Sequence, residues 1–312
     1  MTVDIVLPPE EERITVGDVI EDFLADCQLR NLSEQTLRWY RIRMEEMLGS
    51  VRKRPLALLT LAEVKARLAA LVPGRQPTTV NGYVRTAKAM FYWACDQDLP
   101  VQFSPRKLHP LKEPQRVLPT LTPEQIKALL AQPDQGTYLG LRNYTMMMLM
   151  LDTGARISEV LGLQVTDVVL PLIKVYGKGS KERMLALSLP MQKAMRRYLR
   201  ARELALLRGD VDTPWLFVSR LGTQMASCTV NQWMKRHAEK AGITGVRVSP
   251  HSLRFTFATL FLRNGGSITN LQQILGHTTL AMSRRYATIA DEDAFHDSME
   301  FSPIAQLSRR GK

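Results

Sequence analysis

Six side chains in this sequence are of the types that chemistry at a phosphodiester demands. Tyr286 lies nine residues after His277, and a His-x-x-Arg pair, His251 and Arg254, precedes both. Much earlier, Arg156 opens an Arg-Ile-Ser-Glu run and Lys178 sits in Gly-Lys-Gly. A phosphoryl transition state spreads negative charge over its equatorial oxygens, and the planar fork of an arginine matches those oxygens better than a flexible ammonium does. Arg156 and Arg254 are therefore expected to bind the non-bridging oxygens. A tyrosine hydroxyl can attack phosphorus and hold the product covalently, keeping the bond energy that hydrolysis would discard. That hydroxyl has a pKa of about 10 in water, so it must lose its proton during attack, while the leaving oxygen must gain one. His251 and His277 remain either to accept the tyrosine proton or to hydrogen-bond the phosphate. Glu159, one helical turn from Arg156, is placed to orient its neighbours rather than to touch substrate.

Each residue also has a plainer reading when taken singly. Arg156 could be a salt-bridged surface arginine, and Lys178 a turn lysine, with Lys181 or Arg183 as alternative proton donors. His251 could cap the helix that follows it, and His277 could pack beneath a loop. Tyr286 has seven rivals, of which Tyr40, Tyr83 and Tyr92 fall at apolar helical positions and read as core. His109, His237 and His296 have no matching context and read as surface or structural. Met146, Met147, Met148 and Met150 read as core filling. The ordered set, rather than any one member, carries the argument.

Helical periodicity accounts for most of the elements that must position these groups. Residues 14–30 place Val16, Val19, Ile20, Phe23, Leu24 and Cys27 at spacings of three or four, and a second helix starts at Ser33 or a neighbour. That second helix separates Leu37, Tyr40, Met44 and Leu48 from Arg38, Arg41 and Arg43, which with Arg85 and Lys88 are candidate DNA contacts. A third helix follows Thr60 and a fourth follows the 77–79 cap, making a small bundle. Six prolines between residues 100 and 123 break helices and mark a linker, with the domain boundary near residue 115. Helices are expected again at 123–132 and 137–152, the latter ended by Gly154. β-branched runs from 163 to 189 around the glycine turn at Lys178 read as a short antiparallel sheet. Further helices are expected at 190–207, 227–241, 252–264, 269–275 and 279–286.

The chain has 312 residues, 45% of them apolar, enough for two cores. Its net charge of +12 points to a polyanionic partner, nucleic acid before an anionic membrane surface. The charge is uneven: residues 1–22 carry −6, residues 23–112 carry +8 and residues 113–312 carry +10. Cys27, Cys95 and Cys228 have no Cys-x-x-Cys spacing, which supports neither a disulfide framework nor a zinc site. No apolar run approaches a membrane span and no secretory signal precedes the first helix, so a cytoplasmic, DNA-associated protein is expected. No phosphate-binding loop and no clustered acidic metal site is present, so neither cofactor nor metal is expected.

The motifs, in their order, resemble the tyrosine recombinase (phage-type integrase) family, in particular its Xer-like and mobile-element members. Residues 151–159 look like its first-arginine motif, 177–183 like its lysine hairpin, and 250–259 like its His-x-x-Arg motif. Leu275-Gly276-His277 and Tyr286 are similar to its last two active-site positions. The resemblance covers nearly the whole chain. It implies a mainly α fold with a small antiparallel sheet, arranged as a two-domain clamp on double-stranded DNA. The divisions it suggests are a flexible acidic arm over 1–13, a helical core-binding domain over 14–99, a Pro-rich linker over 100–120, a catalytic domain over 121–290 and a tail over 291–312. It further implies Lys178 as the proton donor, His251 as acid/base and His277 as a phosphate contact. Lys181, Arg183, Arg284 and Arg285 join the candidate DNA contacts, the last two reading equally as a solvated face. The implied reaction is site-specific recombination through a 3′-phosphotyrosine, for integration, excision or resolution, by four protomers on two DNA sites. An accessory DNA-bending protein or a second recombinase could complete the assembly, and the tail is expected to dock on a neighbouring protomer. Competing readings are DNA relaxation by a type IB topoisomerase and a non-catalytic DNA-binding regulator.

Overall fold

The computed structural model describes residues 14–113, 119–177 and 182–276. Lys178, Lys181, His277, Arg284, Arg285 and Tyr286 lie outside these residues, as do the expected arm, the helix at 279–286 and the tail. The chain divides into two compact units, Met1–Arg116 and Val117–Lys312, each with its own core.

Among its described residues the first unit is a bundle of four α-helices: α1 (Val16–Leu29), α2 (Glu34–Leu48), α3 (Leu61–Ala70) and α4 (Pro77–Asp96). Their starts are encoded locally. Thr15 and Thr60 each accept from the third backbone amide of the helix they precede, while Asp18 and Glu63 reach back to the cap, so orphan amides are satisfied in pairs. Pro77 is itself the first residue of α4, one turn earlier than the 77–79 cap suggests. The apolar stripes meet in a core of Val16, Ile20, Phe23, Met44, Leu48, Met90 and Phe91. Tyr83 belongs to this core, and Tyr40 packs against it with its ring 5.4 Å from that of Phe23. Tyr92 departs from expectation: it is exposed, with the Lys88 ammonium 5.9 Å from its ring centroid. It lies one turn after Lys88, on the face of α4 that carries the exposed Arg85, and so away from the buried stripe of Val84, Ala87, Met90, Phe91 and Ala94.

The Pro-rich segment is docked on the first unit as far as Leu111. Leu108 is buried in the first core, Phe103 packs edge-on to Phe91 at 4.9 Å, and the Asn81 side chain exchanges two hydrogen bonds with the backbone of Leu111, at 2.7 and 2.9 Å. Prolines keep an α-helix from forming there, yet a chain with a single 3-10 turn, Pro105–Lys107, can still bury its apolar side chains.

The second unit begins with α5 (Pro123–Leu130) and α6 (Tyr138–Thr153). Helix α6 is buried along most of its length, with Met146, Met147, Leu149 and Met150 inaccessible to solvent, because α8 (Leu189–Arg208) and α10 (Pro250–Arg263) both pack on it. A short helix, α7 (Ile157–Leu161), then precedes a three-stranded antiparallel sheet ordered β1 (Val168–Val169), β2 (Leu172–Tyr176), β3 (Glu182–Ala186). Val175 faces Arg183 across the hairpin. Helices α9 (Ser227–Lys240) and α11 (Ile268–Leu275) complete the described part of the unit. Leu271 and Leu275 of α11 join Phe255 and Ala258 of α10 in a separate small cluster. Each fully buried leucine is worth about 1.5–3 kcal/mol, enough to seat α11 against α10. The architecture is mainly α with one small antiparallel sheet, as expected.

Candidate active site

Of the expected catalytic and supporting residues, Arg156, Glu159, His251 and Arg254 are described; Arg156, Glu159 and Arg254 gather at the C-terminal end of α11, joined there by Arg183. Three guanidinium groups donate to three consecutive carbonyls there. Arg183 Nε donates to the Ile274 carbonyl at 2.9 Å, Arg254 Nη2 to the Leu275 carbonyl at 2.9 Å and Arg156 Nη2 to the Gly276 carbonyl at 3.3 Å. The last carbonyls of a helix have no intrahelical partner and carry the negative end of its dipole, so cations are favoured there.

Local sequence explains how each group arrives. Gly154 ends α6 in the left-handed conformation at φ 63°, and a Cβ at that position would lie 2.4 Å from Phe257 Cδ1. Glycine therefore meets two demands here, positive φ and close approach of α10. The reversal aims the Gly154 carbonyl at Arg254, whose Nη1 donates to it at 2.6 Å. Arg254 is buried at 6% exposure, one turn into α10. Ser249 caps α10 and Pro250 is its first residue, so His251 is not the cap that one reading allowed. His251 is exposed instead, and lines a cleft of about 450 Å³ with Ile157, Asn231, Arg247, Ser249 and Phe255. Ile157 ties that cleft to the arginines, because its chain neighbour Arg156 is the residue on which α7 starts.

Glu159 joins the cluster together. Its side chain is 1% exposed and its two oxygens accept from the Arg156 backbone amide at 2.7 Å, Arg156 Nη1 at 2.9 Å, and Arg183 Nη1 and Nη2 at 2.7 and 2.9 Å. Burial acts to raise its pKa, but the hydrogen bonds and charge of Arg183 and Arg156 outweigh it and hold the carboxyl below the usual range. Arg156 and Arg183 thus share one carboxylate while Arg254 rests on carbonyls, so that among the described residues three guanidinium groups meet a single negative charge and the site is net positive.

The candidate DNA contacts separate into two kinds. Arg38 and Arg85 are exposed and make no hydrogen bond or ion pair among the described residues. Arg41 is exposed but held bidentately by Glu21 at 2.9 and 3.0 Å. Arg43 is half-buried, lying 5.1 Å from the Trp39 ring and donating to the Gly82 carbonyl at 3.4 Å. Lys88 sits over Tyr92, as noted. Arg183, at 16% side-chain exposure, has its Nε and both Nη atoms engaged within the protein. Its place in the network had no local signal, because Glu159 lies 24 residues away and Ile274 lies 91 away.

Comparison with known proteins identifies the family. Residues 119–293 match the model of the phage integrase family. The chain is 35% identical to tyrosine recombinase XerD of Ralstonia nicotianae over 218 residues, 69% of this chain and 70% of that one. It is 32% identical to tyrosine recombinase XerD of Yersinia pestis over 281 residues, 88% of this chain and 93% of that one. In fold it matches the XerH site-specific recombinase bound to palindromic difH substrate, with a TM-score of 0.71 and 20% identity, over 88% of this chain and 84% of that one. A catalytic unit with its arginines gathered on one helix end, and relatives spanning both units, place the chain in the phage integrase family, among the Xer-like tyrosine recombinases.

Proposed function

We propose that this protein cleaves and rejoins DNA at specific sites, with Tyr286 as nucleophile and a 3′-phosphotyrosine as the intermediate. The observation that carries the reading is the convergence of Arg156 and Arg254, residues 98 positions apart, on one helix end with a surplus of positive charge. In this reading the scissile phosphate takes up donors that now rest on the Leu275 and Gly276 carbonyls. Preorganised cations of this kind stabilise developing charge without reorganisation at the moment of reaction. The Tyr286 hydroxyl attacks phosphorus, its proton passes to His251, and the departing 5′-oxygen takes a proton from Lys178. His277 hydrogen-bonds the phosphate, and Glu159 orients Arg156 through the 2.9 Å contact. A second strand's 5′-hydroxyl then attacks the phosphotyrosine, re-forming a diester and releasing the phenol.

The enzyme acts in this reading as four protomers on two duplexes in the cytoplasm, with the exposed Arg38 and Arg85 on backbone phosphates. A duplex nicked so that the 5′-hydroxyl fragment diffuses away provides the test. Wild type should accumulate a covalent protein–DNA adduct, and Tyr286→Phe should bind the duplex and form none. An adduct that persists in Tyr286→Phe, or a wild type that forms none, would overturn the reading.

A further inference from the structure

We propose that Arg183 is a positioning residue for strand cleavage: it locks Glu159 and the end of α11 so that Arg156 and Arg254 can transfer donors to phosphate without the site losing shape. This deepens the recombinase reading and rests on it. Arg183 reaches the cluster from β3, after the hairpin, and so belongs to neither of the helices that carry Arg156 and Arg254. Its Nε takes the Ile274 carbonyl and its two Nη atoms take both Glu159 oxygens. Glu159 in turn holds Arg156 by backbone and side chain, and Arg156 returns to the Gly276 carbonyl. The contacts form a closed ring around the end of α11.

The packing at Gly276 is built for this. The residue caps α11 at φ 61°, and a Cβ there would stand 3.2 Å from Arg183 Nη1, tighter than an ordinary contact. Glycine thus supplies both the left-handed turn and room for the guanidinium. When phosphate draws donors from Arg156 and Arg254, the Leu275 and Gly276 carbonyls lose partners. The Ile274 carbonyl keeps its own, because Arg183 is only 16% exposed and tied down by a carboxylate 1% exposed. A bidentate guanidinium–carboxylate pair fixes direction as well as distance, and a lysine cannot reproduce it.

The test compares wild type, Arg183→Lys and the double variant Arg183→Met/Glu159→Gln on the nicked duplex, measuring DNA affinity against salt, single-turnover cleavage at saturating DNA, and thermal unfolding. Wild-type adduct formation in the same assay checks the recombinase reading separately. Arg183→Lys should bind DNA within about threefold of wild type with an unchanged salt slope, since no phosphate contact is lost. Its cleavage at saturating DNA should fall on the order of 10²-fold, the effect of a small misplacement of catalytic groups. The double variant removes the buried unpaired carboxylate and should recover stability, yet stay slow, because nothing holds the Ile274 carbonyl. Wild-type cleavage by Arg183→Lys, or by the double variant, would overturn the proposal. So would a defect in Arg183→Lys that vanishes at saturating DNA with the salt slope lowered by about one, the mark of a phosphate contact.

Discussion

Arginines do different work in the two units. In the helical bundle they pair with carboxylates near the surface: Arg41 and Arg52 with Glu21, Arg52 also with Glu45, Arg54 with Glu63 and Arg75 with Glu46. In the second unit they mostly hold backbone carbonyls. Arg142 donates to Val218 at 2.6 Å and Arg202 to Thr213 at 2.7 Å, while Arg156, Arg183 and Arg254 hold the end of α11, the first two sharing the Glu159 carboxylate besides. A carboxylate cancels an arginine's charge, whereas a carbonyl only solvates it. The first arrangement cancels the charge of the arginines it engages, leaving others such as Arg38 and Arg85 exposed; the second pins loops and helix ends while leaving positive charge available to an anion. Surface ion pairs contribute little to stability, but a buried carbonyl that loses its donor costs substantially more.

Arg254→Lys should show the contrast most strongly. An ammonium cannot serve the Gly154 and Leu275 carbonyls in two directions and still offer a fork to phosphate, so cleavage should drop about 10²–10³-fold. The nicked-duplex assay checks it, and near-wild-type cleavage would break the distinction drawn between carbonyl-bound and carboxylate-bound arginines. Gly154→Ala should destabilise the second unit by roughly 2–4 kcal/mol, through its positive φ and the Phe257 contact, read as a lowered urea midpoint. Arg202→Met leaves the Thr213 and Trp215 carbonyls without a donor and should cost about 1–3 kcal/mol by the same measurement.

Acid should affect the bundle through its capping carboxylates. Hydrogen bonds from the Thr60 backbone and hydroxyl, and then Arg54, hold Glu63 at about 2. Its folded pKa is below its unfolded one, so the contribution to stability is present above the usual carboxylate range and is lost as pH falls toward about 2. Glu63→Gln should therefore flatten the fall in unfolding midpoint between about pH 5 and about pH 2, and an unchanged slope would count against the assignment. Arg41→Ala should do least, under about 1 kcal/mol, because the Glu21 pair is half exposed and screened. A larger loss would show that the bundle's surface pairs form a cooperative network.

Helices were the legible part of the fold. α1, α2 and α3 begin where Thr15, Ser33 and Thr60 cap them, and α6 ends at Gly154, because each signal is complete within a few residues. α7, at five residues, is too short to carry a periodic signal, although Arg156 and Glu159 at its start stand one turn apart in the sequence. Tyr92 shows the limit of reading residue type: an aromatic ring reads as core, but its place one turn after Lys88 sets it on the face of α4 away from Ala87, Phe91 and Ala94.

The candidate site divides the same way. Residue types and their order already specified an anion-binding, tyrosine-bearing chemistry, since a transition state selects side chains by charge and geometry whatever the fold. Which cations remain usable was settled in three dimensions. Nothing near Arg183 in the chain foretells that it is committed to Glu159 and Ile274 while Arg38 and Arg85 stay open. Those commitments span 24 residues to Glu159, 100 from Arg254 to Gly154 and 120 from Arg156 to Gly276. Capping and periodicity act within one helical turn and are written in the sequence, whereas a partner a hundred residues away exists only once packing brings the two together.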